Sequence, residues 1–475
     1  MSVYSEADAD SLHVQYADES HCIGPAEPAQ SYLKTDKIIE IAKKSRCEAV
    51  HPGYGFLSQI PAFAKACEEN DLEFIGPSSK ILHKMGSKVE ARRIAVKADV
   101  PIIPGSIESS QNLDEAIETA EHVGFPVLVK AVYGGGGKGM RIVMNRKEMW
   151  QALELTASEA ESSFGRCEIY VEKFLPRARH IEFQVLADKH GKIIHLGERE
   201  CSLQRRYQKL AEETPSLFMT EELRKKMGKA AIKIAQAINY VNAGTVEFLV
   251  DQEGHYHFLE MNTRLQVEHL ITEMVTGIDI VKTQIRIATG QKLEYKQNDI
   301  TLKGHAINCR INAEDPFNNF IPSPGTISRL QLPGGPGVRI DTHIYTGYPI
   351  SVFYDSLIAK LAVWGINRHE AVQRMKNALN EFVVVGVKTT IPFHERILED
   401  EQFLNGDIHI NFVDEKIEKL MPKQALKEEE VAAIVAVLTE YVERKGVRAV
   451  IPKRESTAVS LWRLVSRNRR LSKAS

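Results

Sequence analysis

Glu260, Asn262, Arg264, Gln266 and Glu268 stand at every second position of the segment Glu260 to His269. In an extended chain alternate side chains share one face, so these five converge. Glutamate and asparagine oxygens suit Mg²⁺, a guanidinium fork suits a planar oxyanion, and a further carboxylate is free to act as a base. The same alternation also describes an antiparallel strand with its polar face in water. The two readings separate on whether other elements bring partners to this face.

One partner comes from the preceding hairpin. Ala243 to Val250 reads as a strand, Asp251-Gln252-Glu253-Gly254 as a turn and His255 to Met261 as the returning strand. A four-residue turn pairs Val250 with His255 and Glu247 with Phe258. Glu260 is then the diagonal neighbour of Glu247, roughly 7 Å or less between Cβ atoms. Carboxylates that close repel unless a cation lies between them. The hairpin therefore predicts a divalent-ion site built from Glu247, Glu260 and Asn262, completed by water or phosphate oxygens.

A second device lies upstream. Pro126 to Ala131, which includes Lys130, has a buried-strand pattern, and Met140 to Met144 is another strand. Gly134-Gly135-Gly136-Gly137-Lys138-Gly139 joins them. The dinucleotide motif requires a helix after such a loop, and the Walker pattern requires Ser or Thr after the lysine; neither condition is met. What remains is a hairpin rich in free backbone N–H groups, able to fold over phosphates.

The elements that must position these groups read as follows. The first 80 or so residues alternate helices (Asp36 to Ser45, Ile60 to Asn70) with short strands before His51 and at Glu73-Phe74, the pattern of a small α/β unit with a parallel sheet. A helix spans Ile81 to Ala98 and carries Lys88. Asp114 to Val123 and Thr220 to Ile238 are further helices, Cys167 to Phe174 and His180 to Ala187 are strands, and Glu198 to Glu213 is a charged segment. Beyond Gly304, strands punctuated by Pro and Gly lead to a helix His369 to Phe382, an α+β pattern. There are no internal repeats.

With 475 residues and 43% hydrophobic content the chain can bury the cores of about two to four domains. A net charge of −2 gives no basic field for nucleic acid. The six cysteines are scattered without a C-x-x-C pair, which argues against a zinc site or a disulfide framework and for reduced thiols. With neither a signal segment nor a membrane span, the expectation is a soluble cytoplasmic protein that binds neither membrane nor nucleic acid. From Arg444 to Ser475 ten Lys or Arg face a single acid, Glu455, and Ser456 or Thr457 could cap a basic amphipathic helix that docks a partner subunit or stays solvated.

Taken together, these motifs resemble those of the biotin carboxylases, enzymes of the ATP-grasp class. The resemblance runs to about Asp414. It includes His51-Pro52-Gly53-Tyr54-Gly55-Phe56-Leu57-Ser58, Glu198-Arg199-Glu200-Cys201-Ser202-Leu203-Gln204-Arg205-Arg206 and His305-Ala306-Ile307-Asn308-Cys309-Arg310-Ile311-Asn312-Ala313-Glu314-Asp315-Pro316. It implies an α/β and α+β multidomain chain: an N-terminal parallel α/β domain over 1–84, truncated by its first strand-helix unit, an ATP-grasp domain over 85–304 with a lid at about 102–175, and a C-terminal α+β domain over 305–418. A helical basic tail over 419–475 follows.

The resemblance also implies roles. Lys88 and Lys130 would hold ATP phosphates under a lid of Gly134, Gly135, Gly136, Gly137 and Gly139. Glu172, Lys173 and Leu175 would border adenine, with His180 and Gln204 near the ribose or phosphates. Glu247, Glu260 and Asn262 would hold Mg²⁺ or Mn²⁺. Lys209, Arg264, Gln266 and the Val267 backbone would hold bicarbonate, Glu268 would take its proton, and Arg310 would stabilise the biotin enolate. The implied activity is ATP-dependent carboxylation of biotin on a biotin carboxyl carrier protein, through carboxyphosphate. The implied setting is a homodimer working with a carboxyltransferase subunit, in a carboxylase of the acetyl-CoA or propionyl-CoA type.

Three departures accompany the resemblance. The family's initial unit with its N-R-G-E-I-A signature is absent ahead of Met1, which we read as a misplaced start or a truncation. Gln59 replaces the usual Glu after H-P-G-Y-G-F-L-S, a loss of charge expected near biotin and away from the metal and bicarbonate residues. Tyr207 replaces His in Q-R-R-H-Q-K, so no role for that imidazole carries over. Two other readings stay open at this level: another bicarbonate-using ATP-grasp ligase, and an inactive scaffolding partner within a carboxylase complex.

Overall fold

The computed structural model describes residues 1–106, 113–131, 140–164, 169–421 and a few positions between 436 and 440. The expected glycine lid at 134–139 and the basic stretch Arg444 to Ser475 lie outside the described residues.

Near the N-terminus, Ser2–Tyr4 pairs parallel with Ser20–Cys22, and Ala49–Val50 pairs parallel with Glu73–Phe74. Helix Thr35–Lys44 repeats apolar residues at helical spacing. It buries Ile38, Ile39, Ile41 and Ala42 in a core shared with Phe63, Ala64 and Cys67 of helix Pro61–Glu68. The single helix expected from Ile81 to Ala98 is two, Ser79–Gly86 and Lys88–Lys97. Gly86 is a poor helix former, and Ser87 restarts the helix as an N-cap by accepting the Glu90 N–H. The break sets Lys88 at a helix start facing the cleft described below.

Val127–Ala131 lies between Met140–Val143 and Ile169–Lys173 in an antiparallel three-stranded sheet, in keeping with the expected strand-loop-strand device. Val127, Val129, Val143, Met149, Leu153 and Val171 fill the core that helices Leu113–Val123 and Arg146–Phe164 cover.

A larger, eight-stranded antiparallel sheet carries the chemistry. Its order is Tyr256–Asn262, Asn242–Val250, Arg179–Ala187, Ile193–Arg205, Gln208–Thr214, His305–Asn312, Leu357–Gly365 and Val338–Thr342. The segment that reads only as charged in sequence, Glu198 to Glu213, thus supplies two central strands. Its charges are matched inside the protein: Glu198 by Arg224, Arg199 by Glu182, Glu200 by Arg179. One face is apolar around Ile181, Phe183, Val246 and Phe248, where Met227, Ala230, Ala231 and Ile234 of helix Glu221–Ala237 pack. The other face is polar, with Glu182, Gln184, Arg199, Glu212, Glu247 and Asn308 buried. Toward the far edge, helix Arg368–Glu381 covers Leu361 and Val363 with Ala371, Val372, Met375 and Leu379.

The described cysteines, Cys22, Cys47, Cys67, Cys201 and Cys309, are free thiols. No described helix is long and apolar enough to cross a membrane.

Candidate active site

Strand register places four charged residues in one row across the large sheet: Glu260 opposite Glu247, Glu247 opposite Glu182, and Glu182 opposite Arg199. The hairpin differs from the expected register. Phe248 pairs with Phe258, and the returning strand then accommodates Leu259 as an extra residue, so Glu260 sits directly across from Glu247 rather than diagonally. The two carboxylates are closer neighbours than the sequence implied. Glu260 is exposed at the cleft, and the protein packed around it together with the Glu247 charge pushes its carboxyl pKa up.

Asn262 donates from Nδ2 to Glu247 Oε1 at 2.8 Å and to Glu260 Oε1 at 3.5 Å. A donor therefore stands between the two acids, where a shared cation would sit. Two carboxylate groups and an amide that can turn its oxygen inward form an oxygen-donor set that fits Mg²⁺ or Mn²⁺.

The extended run stops at Asn262, earlier than the alternation suggested, and residues 263–268 form a loop into helix His269–Thr276. The polar side chains still converge because the loop is pinned. Gln266 donates to Glu247 Oε1 at 2.8 Å and accepts from Arg199 at 2.6 Å, while the Gln266 carbonyl meets His269 Nδ1 at 2.7 Å. Glu260, Asn262, Arg264, Gln266, Val267 and Glu268 all line one cleft of about 1570 Å³.

Lys209 is the hub. Its ammonium donates to Glu182 at 2.6 Å, Glu268 at 2.8 Å and Glu247 at 3.0 Å, one proton for each acid. Burial alone would lower the Lys209 pKa, but Glu182, Glu247 and Glu268 together drive it well above the usual lysine value. Glu247 shows the reciprocal effect: burial would raise its pKa, while Lys209 and His180 hold it well below the carboxylate range. His180 Nε2 lies 3.0 Å from Glu247 Oε2, and its Nδ1 meets Gln204 Nε2 at 2.9 Å.

Glu268 is bound from both sides, by Lys209 at its Oε1 and by Arg310 at its Oε2 at 2.9 Å. Burial would raise its pKa; Lys209, then Arg310 and Arg199, depress it instead. Arg310 also donates to the buried Glu212 at 2.7 Å, and Glu212 accepts from Asn308 at 2.7 Å. Burial is opposed by Glu212 and Glu268, which keep the Arg310 guanidinium charged.

At the other end of the cleft, Glu172 pairs with Lys130 at 2.5 Å and with Arg92. Burial favours its neutral form, yet Lys130 and Arg92 lower its pKa. Lys88 has its pKa lowered by burial, partly countered by Glu260. Leu175 and Gln204 line the same cleft. Lys173 lines the cleft too, with its Nζ donating to the Gly124 and Phe125 carbonyls at 2.9 and 3.1 Å. Tyr207 reaches the cleft on a two-residue turn in which both Arg206 and Tyr207 are left-handed, with φ of 50° and 63°.

Gln59 corrects an expectation. It accepts from Arg264 Nε at 2.8 Å, and so touches a residue expected to hold bicarbonate, although the resemblance sets it apart from that group.

Arg92 and Glu212 carry no individual mark in the sequence, and Arg199 stands there only within the run Glu198 to Arg206. His180, Glu182 and Gln184 do alternate within an otherwise apolar run, the same period-two sign that marks Glu260 to Glu268. No comparable sign pairs Arg199 with Glu182, since strand register is a property of the folded sheet.

Comparison with known proteins gives three family profiles along the chain: "Biotin carboxylase, N-terminal domain" over 1–82, "Carbamoyl-phosphate synthase L chain, ATP binding domain" over 87–296 and "Biotin carboxylase C-terminal domain" over 308–415. A pyruvate carboxylase subunit of Methanothermobacter thermautotrophicus is 53% identical over 415 residues, covering 87% of this chain and 84% of that protein. Biotin carboxylase 1 of Bacillus subtilis is 51% identical over 415 residues, covering 87% and 92%. Among solved structures, the biotin carboxylase domain dimer of Hydrogenobacter thermophilus 2-oxoglutarate carboxylase, in complex with MgADP, ADP and bicarbonate, is 46% identical. It superposes with a TM-score of 0.84 over 88% of this chain and 92% of that one.

Proposed function

This chain belongs to the biotin carboxylase family, and we propose that Glu268 is its catalytic base, with Lys209, Arg264, Gln266 and the Val267 backbone on the bicarbonate side and Arg310 on the biotin side. The protein carboxylates biotin held on a separate carrier, consuming ATP and bicarbonate through carboxyphosphate. The observation that carries the residue assignment is the position of Glu268, hydrogen-bonded by the cations of both half-sites.

That position makes the base responsive to its substrates. While Lys209 and Arg310 are both engaged, protonating Glu268 is unfavourable and it is a weak base. Bicarbonate bound beside Lys209 and Arg264 shares the Lys209 charge with Glu268, and Glu268 gains basicity in proportion. It then takes the bicarbonate proton, and the freed oxygen attacks the γ-phosphorus of ATP, breaking the bond to ADP and forming carboxyphosphate. Lys88 and Lys130 face the transferring phosphoryl charge. Glu247, Glu260 and Asn262 would hold the divalent ion, which neutralises phosphate charge when bound. Carboxyphosphate breaks down to CO₂ and phosphate. The phosphate accepts the ureido N–H proton of biotin, and the enolate, held against Arg310, attacks CO₂. Withdrawal from water strengthens each of these charge contacts.

The test is bicarbonate-dependent ATP hydrolysis with free biotin. Glu268→Gln should lower kcat by about 10²-fold or more. Activity within about threefold of wild type would show that another group is the base. Turnover by the wild-type protein would also dispose of the scaffolding alternative.

The acceptor of the carboxyl group is chosen by a carboxyltransferase partner. Our reading is a short-chain acyl-CoA, in a cytoplasmic complex with a homodimer of this chain. Relatives named for pyruvate and 2-oxoglutarate carboxylases make those acids the competing outcomes. Purifying the native complex and assaying each acceptor decides among them.

A further inference from the structure

We propose that Gln59 is a positioning residue that orients Arg264 without neutralising it, and thereby sets the affinity of the site for bicarbonate; this rests on the assignment of Arg264 to that anion. The cations of the centre divide into two kinds. Lys209 is matched by three carboxylates, Arg310 by Glu212 and Glu268, and Arg199 by Glu182. Each has its charge largely compensated before substrate arrives.

Arg264 is different. Its Nε donates to the Gln59 amide oxygen at 2.8 Å, one terminal nitrogen to the Leu265 carbonyl at 3.1 Å, and the other to Asn262 Oδ1 at 3.3 Å. All three acceptors are neutral. Among the described residues no carboxylate lies within ion-pair distance of this guanidinium. It is held on three sides while retaining its full charge, the condition under which a small anion is bound most strongly.

Gln59 provides the holding contact from a separate element, the short 3-10 turn Phe56–Gln59. Its own Nε2 lies 3.5 Å from Thr263 Oγ1, which points the amide oxygen, and not its nitrogen, at Arg264. It is not among the residues lining the cleft, so it acts on substrate through Arg264. A glutamate in its place would keep the geometry and turn a neutral hydrogen bond into an ion pair. The bicarbonate would then compete with a permanent anion for the same charge.

The experiment compares Gln59→Glu, Gln59→Leu and Arg264→Met with wild type, using the full chain in bicarbonate-dependent ATP hydrolysis with free biotin. Bicarbonate and MgATP are titrated separately, and thermal midpoints are recorded. Gln59→Glu should raise the bicarbonate KM about tenfold, with MgATP KM and kcat changed less than about threefold and the thermal midpoint equal to or above wild type. Gln59→Leu, which loses orientation but adds no charge, should raise the bicarbonate KM only about threefold. A purely structural role predicts the opposite order, because glutamate is the stronger partner for arginine. An unchanged or lower bicarbonate KM in Gln59→Glu, with Arg264→Met still raising it, overturns the proposal alone. An unchanged KM in Arg264→Met overturns the bicarbonate assignment, and this proposal with it.

Discussion

Lys209→Met isolates the central electrostatic claim, that one buried ammonium holds three buried acids together. At 2.6, 2.8 and 3.0 Å each pair has a gross attraction of roughly 6 kcal/mol at an effective dielectric of about 20. Desolvation cancels most of that, so the net worth of the pairs is far smaller than their sum. Removing one partner is another matter, because the acids stay buried and lose their cation; the expected cost is about 3–5 kcal/mol, a fall of about 3–6 °C in thermal midpoint at pH 7 for a unit of this size. The pH dependence follows from the direction of the shifts. Glu247 and Glu268 have depressed folded-state pKa values, so their stabilisation is present above the ordinary carboxylate value and is lost as pH falls through the folded one. The gap between wild type and Lys209→Met should therefore be full at neutrality, begin to narrow only as pH falls below the ordinary carboxylate value of about 4.3, and close as pH passes the depressed folded-state values. Saturating Mg²⁺, by placing a cation between Glu247 and Glu260, should narrow the gap at pH 7, and Lys209→Arg should show a smaller one. Differential scanning fluorimetry with and without Mg²⁺ reads all of this. A Lys209→Met midpoint within about 2 °C of wild type at pH 7 without Mg²⁺ would refute the reasoning.

Two further outcomes follow. Arg92→Met leaves the buried Glu172 to Lys130 alone, so Lys130 is held more tightly by the acid and less available to phosphate. The MgATP KM should rise about fivefold with the bicarbonate KM unchanged, and parallel effects on both would place Arg92 elsewhere in the mechanism. Buried His394 donates to the Arg310 carbonyl at 2.8 Å, and burial pushes its pKa down to about 4. Its neutral form is the native one, so stability should fall as pH drops from about 6.5 toward 4, by about 1.4 kcal/mol per pH unit for this residue. His394→Gln keeps a donor but cannot titrate, and should flatten the decline in thermal midpoint over that window; an unchanged slope would mean that His394 does not contribute.

Much of the molecule is legible from residue order. The helices at Thr35–Lys44 and Pro61–Glu68, the strands Val127–Ala131 and Met140–Val143, and the hairpin carrying Glu247 and Glu260 all stand close to where periodicity and turn chemistry put them. These are local properties, set by which side chains repeat at 2 or 3.6 residues and by where Gly, Pro and Asp fall. The errors share a cause as well. The helix break at Ser87, the early end of the strand at Asn262 and the extra residue at Leu259 each reflect hydrogen bonds whose partners could not be ranked from spacing alone.

Residue order alone supplies the inventory: Glu260, Asn262, Arg264, Gln266 and Glu268 two residues apart at each step, Glu247 in the preceding strand, the lysines Lys88, Lys130 and Lys209, and Arg310 in its distinctive context. How the charges are shared follows from the fold. Lys209 meets Glu182, Glu247 and Glu268 across 27 to 59 residues of chain, Arg310 reaches Glu212 across 98, and Gln59 meets Arg264 across 205. Electrostatic energy depends on distance in space and on exclusion of water, and both arise when strands 179–187, 193–205, 208–214 and 242–250 come into register and bury their polar face. Residue types name the groups that can react; register and burial determine which are matched, which keep their charge, and which are free to act on a substrate.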